Sequence, residues 1–338
     1  MFDVACETLF HFLEKESELL HSATDALFLR AQVCPQLALF SQKQLTCQQT
    51  FKPHFDALVL RGLHAVTDFS GAVDVSLCLG SKQRDENFIL FAAGIDALRH
   101  GGTFLSCLPK DLGAGRFEKE LHKVGGQPLS YVKNHCRVFG ITNDGTCKPE
   151  VLEQWRSLAR MQTVSGTCLL SRPGVFGWDK IDQGSQLLVS QLPALRGSVA
   201  ALGSGYGFLS QHVLQSSELR ELHLFEAEKI ALDASRESLL RDPQAPKLHF
   251  HWHDVSSGLP EKSFDAIVTN PPFHTGKQVN IALGEKFIQV AARALKKEGA
   301  LYLVANSSLP YERTLQKHFR VYEQLISQRG FKVLKAVL

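Results

Sequence analysis

The sequence has no Cys-x-x-Cys pair, no long apolar run and no strong excess of charge of either sign. Its eight cysteines are scattered, at positions 6, 34, 47, 78, 107, 136, 147 and 168. This spacing argues against a disulfide framework or a cysteine-ligated zinc site and favours reduced thiols. No apolar run approaches the length of a membrane span, and Asp3, Glu7, Glu14 and Glu16 argue against a signal peptide. We therefore expect a soluble, cytoplasmic protein with no membrane partner.

The formal charge of +3 excludes a strongly basic protein, but the charge is unevenly distributed. From Lys277 to Leu338 there are 11 Lys or Arg and 4 Glu, a net charge of +7, so the preceding residues sum to −4. A locally basic face on a nearly neutral protein suits contact with a nucleic acid. A solvated helix surface would give the same local composition.

A faint internal repeat divides the chain. The pattern of strand, helix, glycine turn and strand begins at Val73 and again at Phe264, and a Leu-Pro pair follows each copy. Repeats of this length suggest a duplicated α/β domain, and the chain is long enough for two domains. We predict a boundary near residue 160, with domains 1–160 and 161–338. The first copy lacks the two special turns described next, so we expect it to have kept the fold and lost the chemistry.

A glycine-rich turn, Gly203-Ser204-Gly205-Tyr206-Gly207, follows a short apolar strand predicted over 199–202, and a helical run begins after it. Glycine adopts backbone conformations that other residues avoid, so the chain can turn tightly and approach a ligand. Free amide groups at the start of a helix suit a carboxylate or a phosphate. The pattern alone has low specificity, because dinucleotide sites share it.

Acidic residues follow the next two predicted strands. Glu226 ends a strand over 222–225, where a carboxylate can accept ribose hydroxyl groups. Asp254, followed by Val255, ends a strand over 248–253 and can hold an adenine amino group. Asp182 begins a predicted helix as a capping residue with free backbone amides behind it. Open α/β sheets bind ligands at the carboxyl ends of their strands, so these groups predict one ligand site.

The strand predicted over 264–269 ends in Asn270-Pro271-Pro272-Phe273. Two prolines cannot continue a strand or open a helix there, so the backbone leaves the sheet in a stiff, extended turn. The turn offers an amide side chain and backbone carbonyls that can accept bonds from a planar amino group. Its aromatic ring can stack on the ring that carries this amino group. An ordinary Pro-Pro turn after a strand is the alternative.

Taken together, residues 165–338 resemble a class I S-adenosylmethionine-dependent methyltransferase. The longer pattern is similar to the bacterial ribosomal RNA small subunit methyltransferase C family. It consists of Pro173-Gly174-Val175-Phe176, the 182–188 segment, Asn270 to Gly276, Ala305-Asn306 and Leu309-Pro310-Tyr311. The resemblance spans the whole chain and is strong after about residue 170. It implies an α/β fold with two tandem class I methyltransferase-like (Rossmann-like) domains, the N-terminal one degenerate.

The resemblance also implies transfer of a methyl group from S-adenosylmethionine to the exocyclic N2 of a guanine in small-subunit (16S) rRNA. The implied cofactor-binding residues are Gly203, Ser204, Gly205, Gly207, Glu226, Asp254, Val255, Asp182 and Asn270. The implied catalytic residues are Asn270, Pro271, Pro272 and Phe273. The expected partner of a monomeric protein is small-subunit rRNA or the assembled small subunit. Two alternatives stay open: an amine methyltransferase acting on large-subunit rRNA guanine, adenine N6 or protein glutamine, and a non-catalytic RNA-binding ribosome assembly factor.

One position departs from the family pattern. The family usually has an acidic residue two positions before the first glycine of the turn, where this chain has Ala201. That carboxylate normally supports the turn and the amino group of the cofactor. We hypothesise that Glu226 or the Asp182 segment compensates for its loss.

His249, His251 and His253 alternate along one predicted strand and therefore share a face. Three imidazoles on one face can bind zinc. A polar strand face beneath a helix is the simpler interpretation, because zinc has no role in this methyl transfer. We therefore expect no metal.

Overall fold

The computed structural model describes residues 3–21, 23–40, 45–272, 274–275, 278–279 and 281–338. The chain divides into two compact units, Met1–Arg160 and Met161–Leu338. Within the described residues, no helix has both the length and the apolar character needed to cross a membrane. All eight cysteines are free thiols. The loss of chemistry predicted for the first part of the chain stays a prediction.

The N-terminal unit is a seven-stranded sheet with helices packed on it. Its helices are α1 (Val4–Lys15), α2 (Ser17–His21), α3 (Lys52–Leu60), α4 (Arg84–Asp96), α5 (Ala114–His122) and α6 (Pro149–Ser157). Its strands are β1 (Ala26–Leu29), β2 (Leu45–Gln48), β3 (His64–Val66), β4 (Val73–Leu79), β5 (Leu98–Pro109), β6 (Gln127–Lys133) and β7 (Cys136–Thr142). The strand order is β3-β2-β1-β4-β5-β7-β6, and β7 runs antiparallel to both of its neighbours.

The C-terminal unit has the same architecture. Its helices are α7 (Gln183–Val189), α8 (Phe208–Leu214), α9 (Lys229–Leu239), α10 (Ile281–Ala294) and α11 (Tyr311–His318). Its main sheet contains β10 (Gly197–Leu202), β11 (Leu219–Glu226), β12 (Leu248–Trp252), β13 (Phe264–Thr269), β16 (Leu295–Asn306), β17 (Val321–Gln328) and β18 (Phe331–Val337). Two short hairpins are formed by β8 (Gln162–Thr163) with β9 (Leu170–Ser171) and by β14 (His274–Thr275) with β15 (Gln278–Val279).

The main sheet of the C-terminal unit has the order β12-β11-β10-β13-β16-β18-β17, which repeats the order of the first sheet strand for strand. The fourth and fifth strands of each sheet also share an irregularity, a shift of register near the start of the pairing. It lies between Val73 and Val75 in one unit and between Phe264 and Ala266 in the other. The predicted α/β fold class with two tandem domains is confirmed, and the shared irregularity supports a duplication.

Strand β10 is apolar over residues 199–202 because both faces of the sheet are covered there. Val199 and Ala201 point into one hydrophobic core, with Leu224 and Val268. Ala200 and Leu202 point into the core on the other face. A strand buried on both faces has no polar face to alternate with, which explains the continuous run Val-Ala-Ala-Leu.

Strands β17 and β18 form an antiparallel hairpin. The two residues of its turn, Arg329 and Gly330, have φ angles of 53° and 81°. Positive φ at both central residues matches the right-handed twist of the strands that the turn joins. This hairpin completes the sheet on the side away from β12.

Helix α10 approaches α11 at a glycine, which gives a test of the packing. An ideal Cβ on Gly284 would lie 1.8 Å from the hydroxyl oxygen of Tyr311, whose side chain is fully buried. Gly284→Ala is therefore expected to destabilise the C-terminal unit by roughly 1–3 kcal/mol, as overpacking does. The expected sign is opposite to that of an ordinary Gly→Ala substitution inside a helix, which stabilises a protein by up to about 1 kcal/mol. Urea unfolding of the full chain measures the change.

The matched control for this substitution is Gly115→Ala in α5, where an ideal Cβ meets no heavy atom within 4 Å in the described structure. That variant is expected to be neutral or slightly more stable than the wild type. Equal unfolding midpoints for the two variants would show that the Gly284 contact does not limit the packing of α10.

Candidate active site

The ends of the central strands of the C-terminal sheet meet at one edge. Strand β10 pairs in parallel with β11 and β13, so Leu202 lies opposite Phe225 on one side and Thr269 on the other. The residues that follow these three are Gly203, Glu226 and Asn270. Neighbouring strands lie about 4.8 Å apart, so these three residues stand side by side. A buried bond of 2.9 Å from Thr269 Oγ1 to the Leu202 carbonyl oxygen holds the end of β13 against β10.

The glycine turn has left-handed backbone at three positions, since φ is 61° at Gly203, 56° at Gly205 and 99° at Gly207. The amide groups of Gly203 and Ser204 both donate to the Phe225 carbonyl oxygen, at 2.9 and 3.1 Å. Gly207 is the residue that caps the start of α8. The turn therefore passes from β10 to α8 in a conformation that only glycine adopts without strain.

Glu226 is half-buried and bonds to the glycine turn across the strand ends. Its Oε2 accepts from the Gly205 amide at 2.7 Å, and its Oε1 accepts from the Glu228 amide at 2.8 Å. Burial raises the pKa of Glu226, although backbone donors, the Glu228, Gly205 and Ala227 amides, act in the opposite direction. The carboxylate is thus fixed by the backbone on both sides of it.

Asp254 and Val255 follow β12, the next strand outward. The carboxylate of Asp254 caps the short 3-10 helix Val255–Ser257 by accepting from the Ser256 amide and hydroxyl, both at 2.8 Å. Val255 is 2% exposed and belongs to one of the hydrophobic cores. The His253 amide donates to the Glu226 carbonyl oxygen at 2.9 Å, which ties this segment to the end of β11. The structure therefore places Asp254 one strand beyond Glu226 at the same edge.

The side chain of Asn270 is held by the segment that begins α7. Its Nδ2 donates to Asp182 Oδ2 and to Ser185 Oγ, both at 2.9 Å. Asp182 also caps α7, because the same Oδ2 accepts from the Ser185 amide at 2.8 Å. These contacts fix which way the amide points, since both bonds use the nitrogen and leave the carbonyl oxygen to accept.

Asp182 was predicted to contact the cofactor, which stays a prediction, and the structure shows its carboxylate hydrogen-bonded to the side chain of Asn270. Ser185 was not singled out as a site residue. Ser185 belongs to the capping pattern Asp-x-Gly-Ser, which indicates the start of α7. The pattern gives no indication of the contact between Ser185 and Asn270, 85 residues later.

The remaining residues of the Asn-Pro-Pro-Phe turn are placed only in part. Pro271 is buried and Pro272 is exposed, so the chain reaches the surface at the second proline of the turn. Phe273 lies outside the described residues. Its predicted role in stacking on a base stays a prediction.

Ala201 is fully buried between Leu224 and Val268 of the neighbouring strands. Its side chain lies in the hydrophobic core, so an acidic residue at this position would place a carboxylate there. Glu226 supports the turn through its bond to the Gly205 amide. Of the two groups expected to compensate for Ala201, Glu226 is hydrogen-bonded to the backbone of the glycine turn.

A family model described as the methyltransferase small domain matches residues 166–335, which are 170 of the 338 residues of the chain. The chain belongs to the methyltransferase small domain family. The matched range contains all the site residues described above, from Asp182 to Asn270. The methyltransferase small domain therefore corresponds to the C-terminal unit.

Proteins named ribosomal RNA small subunit methyltransferase C are similar to this methyltransferase small domain protein. That of Aeromonas hydrophila is 29% identical over 265 residues, 77% of this chain and 76% of the relative. That of Hahella chejuensis is 32% identical over 207 residues, 60% of this chain and 59% of the relative. That of Hamiltonella defensa is 36% identical over 195 residues, 57% of each protein. The last two alignments thus span less than two thirds of those relatives.

The fold is similar to that of the T. thermophilus 16S rRNA N2 methyltransferase RsmC, solved in complex with AdoMet and guanosine. The TM-score is 0.79 at 26% sequence identity, over 94% of this chain and 90% of that chain. The likeness therefore covers both units of the methyltransferase small domain protein. The resemblance to the ribosomal RNA small subunit methyltransferase C family that the sequence predicted is confirmed.

Proposed function

We propose that the C-terminal unit transfers a methyl group from S-adenosylmethionine to the exocyclic N2 of a guanine in small-subunit 16S rRNA. The orientation of the Asn270 amide carries this proposal. Its nitrogen donates to Asp182 and Ser185. Its carbonyl oxygen is therefore the group that meets a substrate amine, and an amide oxygen only accepts.

The residues of the glycine turn fit an adenosyl cofactor. An ideal Cβ on Gly205 would meet no heavy atom within 4 Å in the described structure, so the cradle is open at that point. Ser204 Oγ is buried and has no hydrogen-bond partner among the described residues. Glu226 bonds to the Gly205 amide of the turn, and a carboxylate offers about four acceptor positions, so it keeps capacity for a ribose hydroxyl. When bound, the cofactor supplies a methyl group on a positively charged sulfur.

We assign cofactor binding to the residues predicted from the sequence: Gly203, Ser204, Gly205, Gly207, Glu226, Asp254, Val255, Asp182 and Asn270. Asp182 takes part through Asn270, whose side chain it holds. Asp254 is positioned for the adenine end, one strand beyond Glu226. The order of these groups along the sheet edge supports a ligand lying across the strand ends.

The substrate amine is bound by the turn after β13. The exocyclic nitrogen of guanine is a poor nucleophile, because its lone pair is delocalised into the ring. Acceptance of its two N–H groups by Asn270 Oδ1 and the Pro271 carbonyl draws the nitrogen toward tetrahedral geometry. Neutral hydrogen bonds contribute only about 1 kcal/mol each. Alignment with the methyl group can remove up to about 7–11 kcal/mol of the barrier, so positioning is the main contribution.

The N-terminal unit keeps the topology of the site without its ligand groups. Arg30 follows β1 with a φ of 53°, where Gly203 follows β10 with a φ of 61°. Gln49 follows β2 in place of the carboxylate, and its amide bonds to the backbone of Ala31, Thr50 and Phe51. These bonds to the unit's own backbone support a unit that does not bind the cofactor. We assign to it the positioning of the RNA or ribosomal particle and structural support of the C-terminal unit.

The substrate class rests on the relatives and on charge. The similar proteins are named for small-subunit ribosomal RNA, and the similar structure contains guanosine. The 62 residues from Lys277 carry a net charge of +7, which suits the RNA backbone. We place the reaction in the cytoplasm, with a monomer acting on free rRNA or on the assembled small subunit.

The test incubates the full chain with a methyl-labelled cofactor and either ribosomal subunits or free rRNA that lack the modification. Digestion to nucleosides is expected to give N2-methylguanosine from small-subunit RNA. Recovery of methyladenosine, of methylglutamine, or of N2-methylguanosine confined to large-subunit RNA would overturn the proposed substrate and identify a different one. Tight RNA binding with no labelled product would contradict the enzymatic function and favour the alternative of a non-catalytic ribosome assembly factor.

A further inference from the structure

Three histidines of the C-terminal unit, His223, His249 and His251, lie together on one face of β11 and β12. Parallel pairing puts His223 opposite His249 and Phe225 opposite His251. Glu221 precedes His223 by two residues and therefore projects from the same face of β11. An open groove of about 780 Å³ runs beside these side chains, lined also by Arg220, Lys262 and Lys296.

The nitrogen and oxygen atoms of this cluster are close enough to share one ion. His223 Nε2 lies 3.1 Å from Glu221 Oε2. One ligand atom from each of Glu221, His223 and His249 lies within 4.8 Å of the other two. Two atoms bound to the same tetrahedral zinc ion are about 3.3–3.5 Å apart, because each lies about 2.0–2.2 Å from the metal. His223 Nε2 and Glu221 Oε2 already have nearly this spacing. A rotation of the exposed His249 side chain would bring its nitrogen to the same distance as a third ligand.

The groups behind these ligands are arranged as in metal sites. His223 Nδ1 lies 3.0 Å from His251 Nε2, so the nitrogen that faces away from the site has a partner. Histidine ligands of metals nearly always bond through their other nitrogen, which fixes the ring and its tautomer. Glu221 uses Oε1 for Arg220, at 3.1 Å, and presents Oε2 to the histidine.

We propose that Glu221, His223 and His249 form a binding site for a divalent transition-metal ion of the zinc class. Two imidazoles and one carboxylate are a common donor set for zinc, and water from the groove completes the coordination. The site does not belong to the methyl transfer chemistry, because His223 stands three residues before Glu226, about 10 Å upstream along β11. The bound ion would link β11 to the edge strand β12 by their side chains.

This site differs from the one considered in the sequence. Three histidines of a single strand were weighed there, and His253 is used elsewhere, with its Nε2 2.7 Å from the Gly258 carbonyl oxygen. The proposed ligands come from two strands, and their proximity depends on the β11–β12 register.

The test titrates zinc alone into the untagged full chain by calorimetry, and titrates cobalt alone while following visible absorption. All proteins carry Cys168→Ser, because Cys168 is an exposed thiol and cysteine thiolates are ligands of zinc. We expect one ion per chain, release of protons on binding, and the absorption of tetrahedral cobalt. His223→Gln and His249→Gln are each expected to weaken binding by at least about 100-fold, and His251→Gln by about 10-fold.

His212→Gln, an exposed histidine on α8, is the matched control and is expected to bind as the parent does. Circular dichroism in the presence of a chelator shows whether each variant is folded, and His249 is exposed enough for its replacement to be tolerated. Zinc binding that survives His249→Gln unchanged would place the metal elsewhere. Absence of binding to the parent would overturn the proposal, and neither result would affect the proposed methyl transfer.

Discussion

Replacing Asn270 by alanine is expected to lower kcat for methyl transfer by about 100- to 1,000-fold, the loss typical when a preorganised hydrogen-bonding group is removed from a reacting centre. The substitution removes the oxygen that we propose accepts the substrate N–H. It also removes the nitrogen that bonds to Asp182 and Ser185. The cap of α7 survives, because the Ser185 amide still donates to Asp182.

The measurement separates chemistry from binding. Single-turnover methylation gives the rate of transfer, and calorimetry with S-adenosylmethionine gives cofactor affinity for the same protein. Cofactor affinity is expected to fall by no more than about fivefold, the equivalent of one neutral hydrogen bond. Asn143→Ala applies the same truncation after a strand of the N-terminal unit and is expected to leave both quantities unchanged. A rate within threefold of wild type for Asn270→Ala would remove Asn270 from the reaction, as would an equal loss in the control.

The placement of Asn270 beside Gly203 and Glu226 could be predicted, because it follows from local patterns. Each residue stands where an apolar strand ends, and parallel strands bring such ends to one edge. Side-chain contacts between distant segments could not be predicted in this way. Asp182 and Asn270 are 88 residues apart, and nothing in either motif encodes their bond.

The histidine cluster on β11 and β12 could not be predicted from the sequence, because it depends on the register in which these two strands pair. The alternation of His249, His251 and His253 shows that they share a face, but not which residues of the neighbouring strand stand beside them. A shift of one residue in the β11–β12 pairing would bring Leu222 or Leu224 opposite His249 in place of His223. The histidine cluster therefore exists only in the folded sheet.

The sequence shows that this chain has Ala201 where the family usually has an acidic residue, but not which groups support the glycine turn in its absence. The structure shows that other groups form hydrogen bonds to the turn. The Phe225 carbonyl oxygen accepts two amide groups of the turn, and Glu226 accepts a third. Among the described acidic side chains of the site, Glu226 bonds directly to the glycine turn, so we predict that cofactor affinity depends strongly on it.

Glu226→Gln is accordingly expected to weaken S-adenosylmethionine binding by about 10- to 100-fold. A hydrogen bond to a charged group is worth about 1.5–3 kcal/mol, and each 1.4 kcal/mol is a factor of ten in affinity. The amide also turns an N–H donor toward the amide of either Gly205 or Glu228, where only acceptors fit. Calorimetric titration of the full chain with the cofactor measures the change.

A pH series makes this prediction specific to the carboxylate. Burial raises the pKa of Glu226, so the charged form is lost at a higher pH than for an ordinary glutamate. Cofactor affinity of the wild type is expected to fall as the pH drops through that raised pKa. The Glu226→Gln variant has no such proton to gain and is expected to show a flatter profile. The control is Glu237→Gln, which removes an exposed carboxylate of α9 that pairs with Arg241. Its cofactor affinity is expected to match that of the wild type at every pH. If Glu226→Gln keeps both the affinity and the pH profile of the wild type, Glu226 does not hold the ribose and the support for the turn must come from the backbone alone.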